Sequence, residues 1–286
     1  MNAEKIVFEA SANKAYKIAG FFSPSKSENI KGVFQICHGM ADYFELTDYL
    51  NDRGWHVCGM DMLGHGQSFE LNKDKNMPLG FFGESNDSAL CILKDEMKLH
   101  SLAKDLWGDE LPYVLYGHSM GSFVARNIYI TPEYAKEFVS FIFASTMGYE
   151  PAAGLGIVLA KFFSLFGMKR KPGRLLNGIA FGQYNKKIKN PKTNFDWVSS
   201  DEDEVRRYCE DHLAGFLFTC KGFLDLFVLV SRMQSKKAYE EASKAPCLLT
   251  YGEDDPVAGY GKGAQEVADK LALDQSRKVT VKNYGH

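Results

Sequence analysis

Eight short apolar runs, rich in Val, Ile, Phe and Tyr, recur along the chain, and most are separated by stretches of helical character. Nearly continuous apolar strands that alternate with helices are typical of a mostly parallel sheet covered on both faces. Ligands of such sheets bind beyond the carboxyl ends of the strands, so the residues that follow each run are the candidates for chemistry. The predicted strands are residues 6–8, 16–22, 32–37, 56–60, 112–116, 138–143, 247–251 and 279–282.

The alternation breaks once, between about residues 147 and 235, where no strand-like run occurs. This stretch is too long for a plain loop. Residues 155–166 and 213–230 predict two apolar helices, separated by a polar, turn-rich stretch (169–194) and an acidic helix start at 200–204. The apolar face of the first helix comprises Leu155, Val158, Leu159, Phe162, Phe163 and Phe166.

We therefore expect two parts in the chain. Residues 1–146 and 236–286 form the α/β core, and residues 147–235 form a helical cap over the carboxyl edge of the sheet. The sequence contains no internal repeat and no low-complexity tract.

The run Gly117-His118-Ser119-Met120-Gly121 directly follows the predicted strand 112–116 and opens a helical run that ends before Pro132. A serine held on a sharp strand-to-helix turn projects its Oγ into the site, and flanking glycines remove Cβ atoms that would collide as the backbone doubles back. The helix N-terminus below it favours developing negative charge. Ser119 is the candidate nucleophile, with Gly117, His118 and Gly121 in supporting positions.

An oxyanion hole needs two backbone N–H groups, one after the nucleophile and one from a loop that follows an earlier strand. Met120 supplies the first. The strand 32–37 ends in His38-Gly39-Met40, where Gly39 lets the backbone turn and Met40 presents the second N–H.

The acid that orients a catalytic histidine is expected after a later strand. The strand 247–251 is followed by Gly252-Glu253-Asp254-Asp255-Pro256, an acidic turn at the required edge. We favour Asp255 as the acid and keep Asp254 as the alternative. A solvated turn that caps a helix would use the same residue types.

These motifs together resemble the lysophospholipase and monoacylglycerol-lipase-like branch of the α/β-hydrolase superfamily, which is related to proline-iminopeptidase-like serine aminopeptidases. The resemblance covers essentially the whole chain, including residues 38–41, 117–121, 252–257 and the pattern Asp-x-x-Gly-His-Gly-x-Ser at 61–68. It implies the α/β-hydrolase fold, with an eight-stranded sheet. The family's Gly-x-x-Asp run supports Asp255. We expect Asp61 and His65 to brace the loop beside the oxyanion hole rather than to react.

The general base must take the proton from Ser119 while its second nitrogen is held by the acid. His286 follows the last predicted strand by a few residues and is the candidate base. In the family this loop reads Tyr, three residues, Arg-His-Glu. Aligning Tyr284 with that Tyr places the base a few positions beyond residue 286, which predicts a truncated sequence.

Composition excludes several classes of function. The 34 basic and 36 acidic residues nearly cancel, which argues against a nucleic-acid partner. No segment approaches the roughly 20 apolar residues needed to span a bilayer, and the N-terminus lacks the pattern of a secretory signal. Cysteine spacing indicates buried free thiols rather than disulfides or a metal site. We expect a soluble cytoplasmic protein; the cysteines are Cys37, Cys58, Cys91, Cys209, Cys220 and Cys247.

The leading hypothesis is a serine hydrolase that cleaves small-molecule carboxylic esters, such as monoacylglycerols or lysophospholipids, through an acyl-enzyme and without cofactor or metal. A cap rich in Phe and Leu suits an acyl chain and is a candidate for peripheral contact with lipid, although the same stripe also fits plain packing. A serine aminopeptidase, with cap carboxylates such as 201–204 binding an amine, is one alternative. A silent member that only binds an acyl ligand or partner is the other. The oligomeric state stays open.

Overall fold

The computed structural model describes residues 3–40 and 43–285, which form a central eight-stranded sheet in the order β1-β2-β4-β3-β5-β6-β7-β8. Strand β2 runs antiparallel to β1 and β4, and the remaining pairs are parallel. The predicted mostly parallel sheet of the α/β-hydrolase fold is confirmed. The strands are β1 (Glu4–Ala10), β2 (Asn13–Ser23), β3 (Gly32–Cys37), β4 (Trp55–Met60), β5 (Tyr113–His118), β6 (Ser140–Ala144), β7 (Cys247–Gly252) and β8 (Val279–Tyr284).

Helices cover both faces of this sheet. A small apolar cluster of Phe34, Ile36, Leu50, Val57 and Val114 lies on the α1 side, and a larger cluster fills the other face and continues into the helices beyond β6. The helices are α1 (Phe44–Asn51), α2 (Gly66–Glu70), α3 (Ser88–Trp107), α4 (Met120–Tyr129), α5 (Pro132–Ala135), α6 (Ala152–Leu165), α7 (Arg174–Phe181), α8 (Glu202–Glu210), α9 (Cys220–Met233), α10 (Lys236–Glu241) and α11 (Lys262–Ala272).

The strand register brings the predicted motifs to one edge of the sheet. Cys37 of β3 pairs with Met60 of β4 and with Gly117 of β5. On the other side of β5, His118 pairs with Ala144 of β6. Because these strands are parallel and end at the same level, the residues that follow each of them meet at the carboxyl edge.

Between β6 and β7 the chain forms helices α6 to α10, with α6 packed along α9. The contact side of α6 carries the small residues Ala153, Gly156 and Ala160, all buried, and a Cβ added to Gly156 would collide with the Phe227 ring of α9. Small residues let two helices approach closely. The predicted apolar face of α6 is divided: Leu159 and Phe163 pack against the core, whereas its other four side chains are exposed to solvent, namely Leu155, Val158, Phe162 and Phe166.

Two further expectations for this region are corrected. The helix predicted over 213–230 begins only at α9, because Thr219 caps it by accepting a hydrogen bond from the Gly222 N–H at 3.0 Å while its own hydroxyl donates to the Gly80 carbonyl. The stretch 169–194, expected to be turn-rich, contains α7 and a 3₁₀ turn over Tyr184–Lys187.

One buried guanidinium joins both ends of this helical segment to the core. Arg126 of α4 donates to the Met147 carbonyl at 2.7 Å, where the segment begins, and to the Met233 carbonyl at 3.1 Å, where α9 ends. The backbone of Glu150 and the side-chain amide of Gln234 exchange two hydrogen bonds beside it. A buried charge satisfied by several acceptors holds its partners in a defined geometry. The spacing between the two ends of the segment is therefore fixed by α4.

Among the residues that the structure describes, no helix combines the length and the apolar character that crossing a membrane would require.

Candidate active site

Ser119 lies on the turn between β5 and α4 with φ 52° and ψ −121°, in the left-handed region of φ that a residue with a side chain seldom occupies. Its N–H donates to the Ala144 carbonyl at 3.0 Å, which ties the turn to the end of β6. Strained backbone of this kind persists only where the surroundings fix it, and it clusters at functional sites. The strand, sharp turn and helix predicted around Ser119 are all present.

The two glycines that flank this turn are required by close backbone contacts. A Cβ on Gly121 would collide with the carbonyl oxygens of Cys37 and His38, and one on Gly117 would collide with the carbonyl of Gly121 itself. The absence of side chains therefore lets α4 start directly against the end of β3. This packing brings the loop after β3 next to Ser119.

That loop, His38-Gly39-Met40, is held by its own histidine. His38 is buried; its Nδ1 lies 2.6 Å from the Gly39 carbonyl, and its Nε2 accepts a hydrogen bond from the Met62 N–H at 2.9 Å. These contacts place the ring proton on Nδ1. A Cβ on Gly39 would lie 3.2 Å from Ser119 Cβ, so the loop runs directly beside the serine. Ala41, the next residue of the motif, lies outside the described residues.

Tyr43 joins this loop to the serine turn, and the sequence analysis missed it. Its hydroxyl accepts a hydrogen bond from the Gly39 N–H at 2.9 Å and lies 2.9 Å from His118 Nδ1. Burial lowers the pKa of His118, an effect that the negative charge of Asp255 opposes. The His118 ring is therefore neutral at pH 7. No pattern in the sequence points to a tyrosine at this position.

The predicted acid lies on the turn after β7. Asp255 Oδ1 accepts hydrogen bonds from the N–H groups of Val257 at 2.8 Å and Ala258 at 3.2 Å, and its own N–H donates to the Gly252 carbonyl. Oδ2 has no hydrogen-bond partner among residues 3–40 and 43–285. Asp255 is half-buried and Asp254 is exposed. The turn thus orients one carboxylate and leaves one of its oxygens available.

The end of β8 reaches the same turn. The Glu253 N–H donates to the Tyr284 carbonyl at 3.0 Å, and both Tyr284 and Gly285 line the cavity described below. The predicted base, His286, lies outside the described residues. The last described residues therefore bring the chain beside Asp255.

Asp61 and His65 lie on the loop that follows β4, outside the lining of the cavity. Asp61 Oδ2 accepts the Gln67 N–H at 2.6 Å, at the start of α2, and its carbonyl accepts the Ser68 hydroxyl at 2.6 Å. His65 is buried between Phe82, which stacks on it, and the edges of Phe216 and Phe218. Burial, assisted by the neighbouring His38, lowers the pKa of His65 to about 3. Both residues contact protein groups of the loop, and neither lines the cavity.

A cavity of about 1440 Å³ opens at this edge, between the sheet and helices α6 to α9. Ser119, Met40, Met120, Asp254 and Asp255 all line it. Of the histidines that the structure describes, only His118 does so. The side of the cavity opposite the sheet, which we call the far wall, is supplied by residues 147–235. It combines polar side chains such as Asn185, Lys192 and Glu202 with the apolar side chains of Phe181, Phe195, Phe216, Phe218, Leu226 and Phe227. From α6 only Ala152 contributes.

The arrangement has the parts of a nucleophilic acyl-transfer site. Ser119, on a strained turn after β5, lines the cavity, and so do the predicted oxyanion-hole residues Met40 and Met120. The oriented carboxylate of Asp255 follows β7, which lies two strands away from β5 in the sheet. Within residues 3–40 and 43–285, no cluster of His, Cys, Asp and Glu has the arrangement of a metal site.

A family model described as "Serine aminopeptidase, S33" matches residues 28–286. Several solved structures are similar. A carboxyl esterase from Bacillus coagulans in complex with glycerol has a TM-score of 0.89 at 23% identity, covering 100% of this chain and 90% of that chain. A monoglyceride lipase from Saccharomyces cerevisiae has a TM-score of 0.66 at 16% sequence identity, covering 98% of this chain and 87% of that chain. A Paleococcus ferrophilus monoacylglycerol lipase has a TM-score of 0.59 at 18% sequence identity, covering 100% of this chain and 89% of that chain. A search of curated protein sequences finds no match.

Proposed function

Because this chain belongs to the serine aminopeptidase S33 family of α/β hydrolases, we propose that it is a serine hydrolase that cleaves carboxylic esters, with Ser119 as its nucleophile. One observation carries the proposal: Ser119 at positive φ, the Gly39 loop and the oriented Asp255 carboxylate converge on one apolar cavity. Structures with esterase and lipase names share the fold of the chain.

In the proposed mechanism, Ser119 Oγ attacks the acyl carbonyl carbon while an imidazole takes its proton. The Met40 and Met120 N–H groups stabilise the oxyanion, and collapse of the intermediate expels the alcohol, which receives the proton from the imidazole. Water then hydrolyses the acyl-enzyme by the same sequence. Asp255 holds the imidazole through the oxygen that its own turn leaves free. No metal or cofactor enters this scheme.

We assign the base to the segment that follows β8, where His286 is the candidate. The hydrogen bond from Glu253 to Tyr284 supports this assignment because it carries the chain to the turn of Asp255. His286→Ala tests it: loss of activity equal to that of Ser119→Ala would assign the base to His286, whereas full activity would move the role to another residue.

The proposed substrates are esters of medium or long acyl chains, such as monoacylglycerols or lysophospholipids. The apolar side chains of the far wall support this choice, because each methylene transferred from water to such a surface gains about 0.8 kcal/mol. We further propose that residues 147–235 act as a cap, since they supply all six of the apolar side chains named for that wall. The five buried free cysteines fit a reducing, cytoplasmic location.

The cap carboxylates considered for an aminopeptidase have other partners. Asp201 caps α8 by accepting the Asp203 N–H, and Glu202 pairs with Lys192 at 2.6 Å. Asp203 and Glu204 pair with Arg206 and Arg207, one turn further along α8. Of these four acidic residues only Glu202 lines the cavity, and its carboxylate pairs with Lys192, which supports an ester over a substrate with a free amine.

The test is covalent labelling together with esterase activity. A fluorophosphonate probe should label the wild-type chain on Ser119, and Ser119→Ala should abolish labelling and reduce hydrolysis of p-nitrophenyl esters by about 10⁴-fold or more. Ser145→Ala is the matched control, because Ser145 also lines the cavity and also has positive φ, 53°. Labelling that persists in Ser119→Ala, or is lost in Ser145→Ala, would refute Ser119 as the nucleophile.

A further inference from the structure

Helix α6 has its large apolar side chains on the outside. Its buried side carries small residues. We call the opposite, solvent-exposed side, together with Phe166 directly after the helix, the outer face. The outer face consists of Leu155, Val158, Phe162, Leu165 and Phe166, with exposed fractions of 57%, 64%, 53%, 83% and 70%. A helix that packs on one core normally has the reverse distribution. More than half of the surface of each of these five residues stays exposed in the folded chain.

Further apolar side chains extend this surface along the chain. Met168 follows α6 and Leu175 lies in the first turn of α7, and both are exposed. Scattered surface leucines are ordinary, whereas a contiguous group of large apolar side chains on a water-facing surface marks an interaction site. The outer face therefore requires an apolar partner.

The charged side chains of the segment that carries the outer face are all of one sign. Residues 151–195 contain nine basic and no acidic side chains, although the whole chain has a formal net charge of −2. Lys161 lies within the outer face, and Lys169, Lys171 and Arg174 follow it. None of these four forms an ion pair with any described residue. The near balance of total charge had concealed this basic segment in the sequence analysis.

We propose that the outer face and these four basic residues dock the protein on an anionic lipid surface. The apolar side chains would enter the boundary between headgroups and acyl chains, and the basic side chains would contact the headgroups. A second copy of this chain is disfavoured as the partner, because a symmetric contact would place the same positive charges against each other. A nucleic acid would match the charge but would leave the apolar side chains in water.

Helix α7 links this surface to the cavity. It contacts α6, and its first turn exposes Arg174 and Leu175, while Asn177 and Phe181 further along line the cavity wall. Docking would therefore place one wall of the cavity near the lipid. The inference goes beyond the proposed function, because binding to a lipid surface requires no hydrolysis.

Co-sedimentation of the 286-residue chain with vesicles tests the proposal. The chain should bind vesicles that mix phosphatidylcholine with phosphatidylglycerol and should bind pure phosphatidylcholine much more weakly. Phe162→Ser with Leu165→Ser should lower the partition coefficient more than about tenfold. The matched control is Leu106→Ser with Leu273→Ser, because these residues have nearly the same exposures, 51% and 83%, on α3 and directly after α11.

Charge is tested separately. Lys161→Gln with Lys171→Gln should weaken binding to the anionic vesicles by about fivefold for each lysine, and added salt should do the same to the wild-type chain. Lys14→Gln with Lys98→Gln controls for total charge. Ser119→Ala should bind as the wild type does, so that a failure of the proposed catalysis leaves the docking result intact.

Several outcomes would overturn the proposal. One is the absence of binding to anionic vesicles, and another is an equal loss of binding in the test and control variants. A third is a dimer in sedimentation velocity that Phe162→Ser with Leu165→Ser dissociates, since this would make a second copy the partner. A fourth is tighter binding to a single-stranded oligonucleotide than to the vesicles, if that binding is lost in the Lys161→Gln with Lys171→Gln variant.

Discussion

The hydroxyl oxygen of Tyr43 lies 2.9 Å from Nδ1 of His118. The same oxygen accepts a hydrogen bond from the Gly39 N–H at 2.9 Å. One phenol thus connects the loop of the proposed oxyanion hole to the residue before the proposed nucleophile.

Tyr43→Phe should therefore lower kcat by about tenfold with little change in KM, because it loosens groups that act on the transition state. Steady-state hydrolysis of p-nitrophenyl esters measures the effects on kcat and KM separately. Tyr49→Phe, an exposed tyrosine on the neighbouring α1, is the control and should have wild-type kinetics. A change in KM alone would show that Tyr43 shapes substrate binding instead.

The two candidate acids are separated by a pair of matched variants. Asp255→Asn should reduce kcat by about 10³-fold or more, because an amide can no longer hold the imidazolium. Asp254→Asn should change it less than about threefold, since Asp254 is exposed. The opposite ranking would transfer the role of the acid to Asp254.

The apolar side chains of the cavity wall predict a rising profile with acyl length. For p-nitrophenyl esters, kcat/KM should increase from acetate to medium-length chains by up to about fourfold per methylene, if buried chain surface is fully engaged in the transition state. Aminoacyl p-nitroanilides should be poor substrates. A flat profile, or faster cleavage of the anilides, would favour the aminopeptidase alternative.

Glu96 of α3 predicts an unusual pH dependence of stability. Burial raises the pKa of its carboxyl from 4.5 to about 8, opposed by the hydrogen bond at 2.9 Å that Gln35 Nε2 donates to Oε2. Because the folded chain retains a proton that the unfolded chain releases, this group's contribution to stability is full below the unfolded pKa. It is lost, at about 1.4 kcal/mol per pH unit at most, as the pH rises towards 8.

Glu96→Gln keeps an acceptor for Gln35 and removes the titration. In urea unfolding, its free energy of unfolding should exceed that of the wild type by an amount that grows between about pH 5 and pH 8. Glu133→Gln, at an exposed position, should follow the wild type at each pH. A constant difference for Glu96→Gln would show that the carboxyl does not titrate over this interval.

Much of the fold was predictable because the central strands β3 to β6 are mostly buried, and buried strands have apolar runs that need no context. The edge strands β1 and β8 are largely exposed, and their shorter apolar runs gave only part of each strand. The cap was predicted less well. The periodicity of residues 155–166 identified which side chains share one side of α6, but not which side faces the core. The contact with α9 decides this, because it accepts only side chains as small as Ala153 and Gly156.

The candidate site, too, was predicted only in part. Ser119 and Asp255 were identified because each follows a strand in a motif of fixed spacing. Tyr43 was not, because its role depends on the distance from its hydroxyl to Gly39 and His118, which are brought together only by the sheet.

The attachment through Arg126 also determines which part of the chain can be redesigned independently. Because the carbonyls of Met147 and Met233 both accept hydrogen bonds from one side chain on α4, that helix sets their separation. The residues between them are therefore expected to be exchangeable as one module, while the turn at Ser119, which precedes the same helix, keeps its geometry.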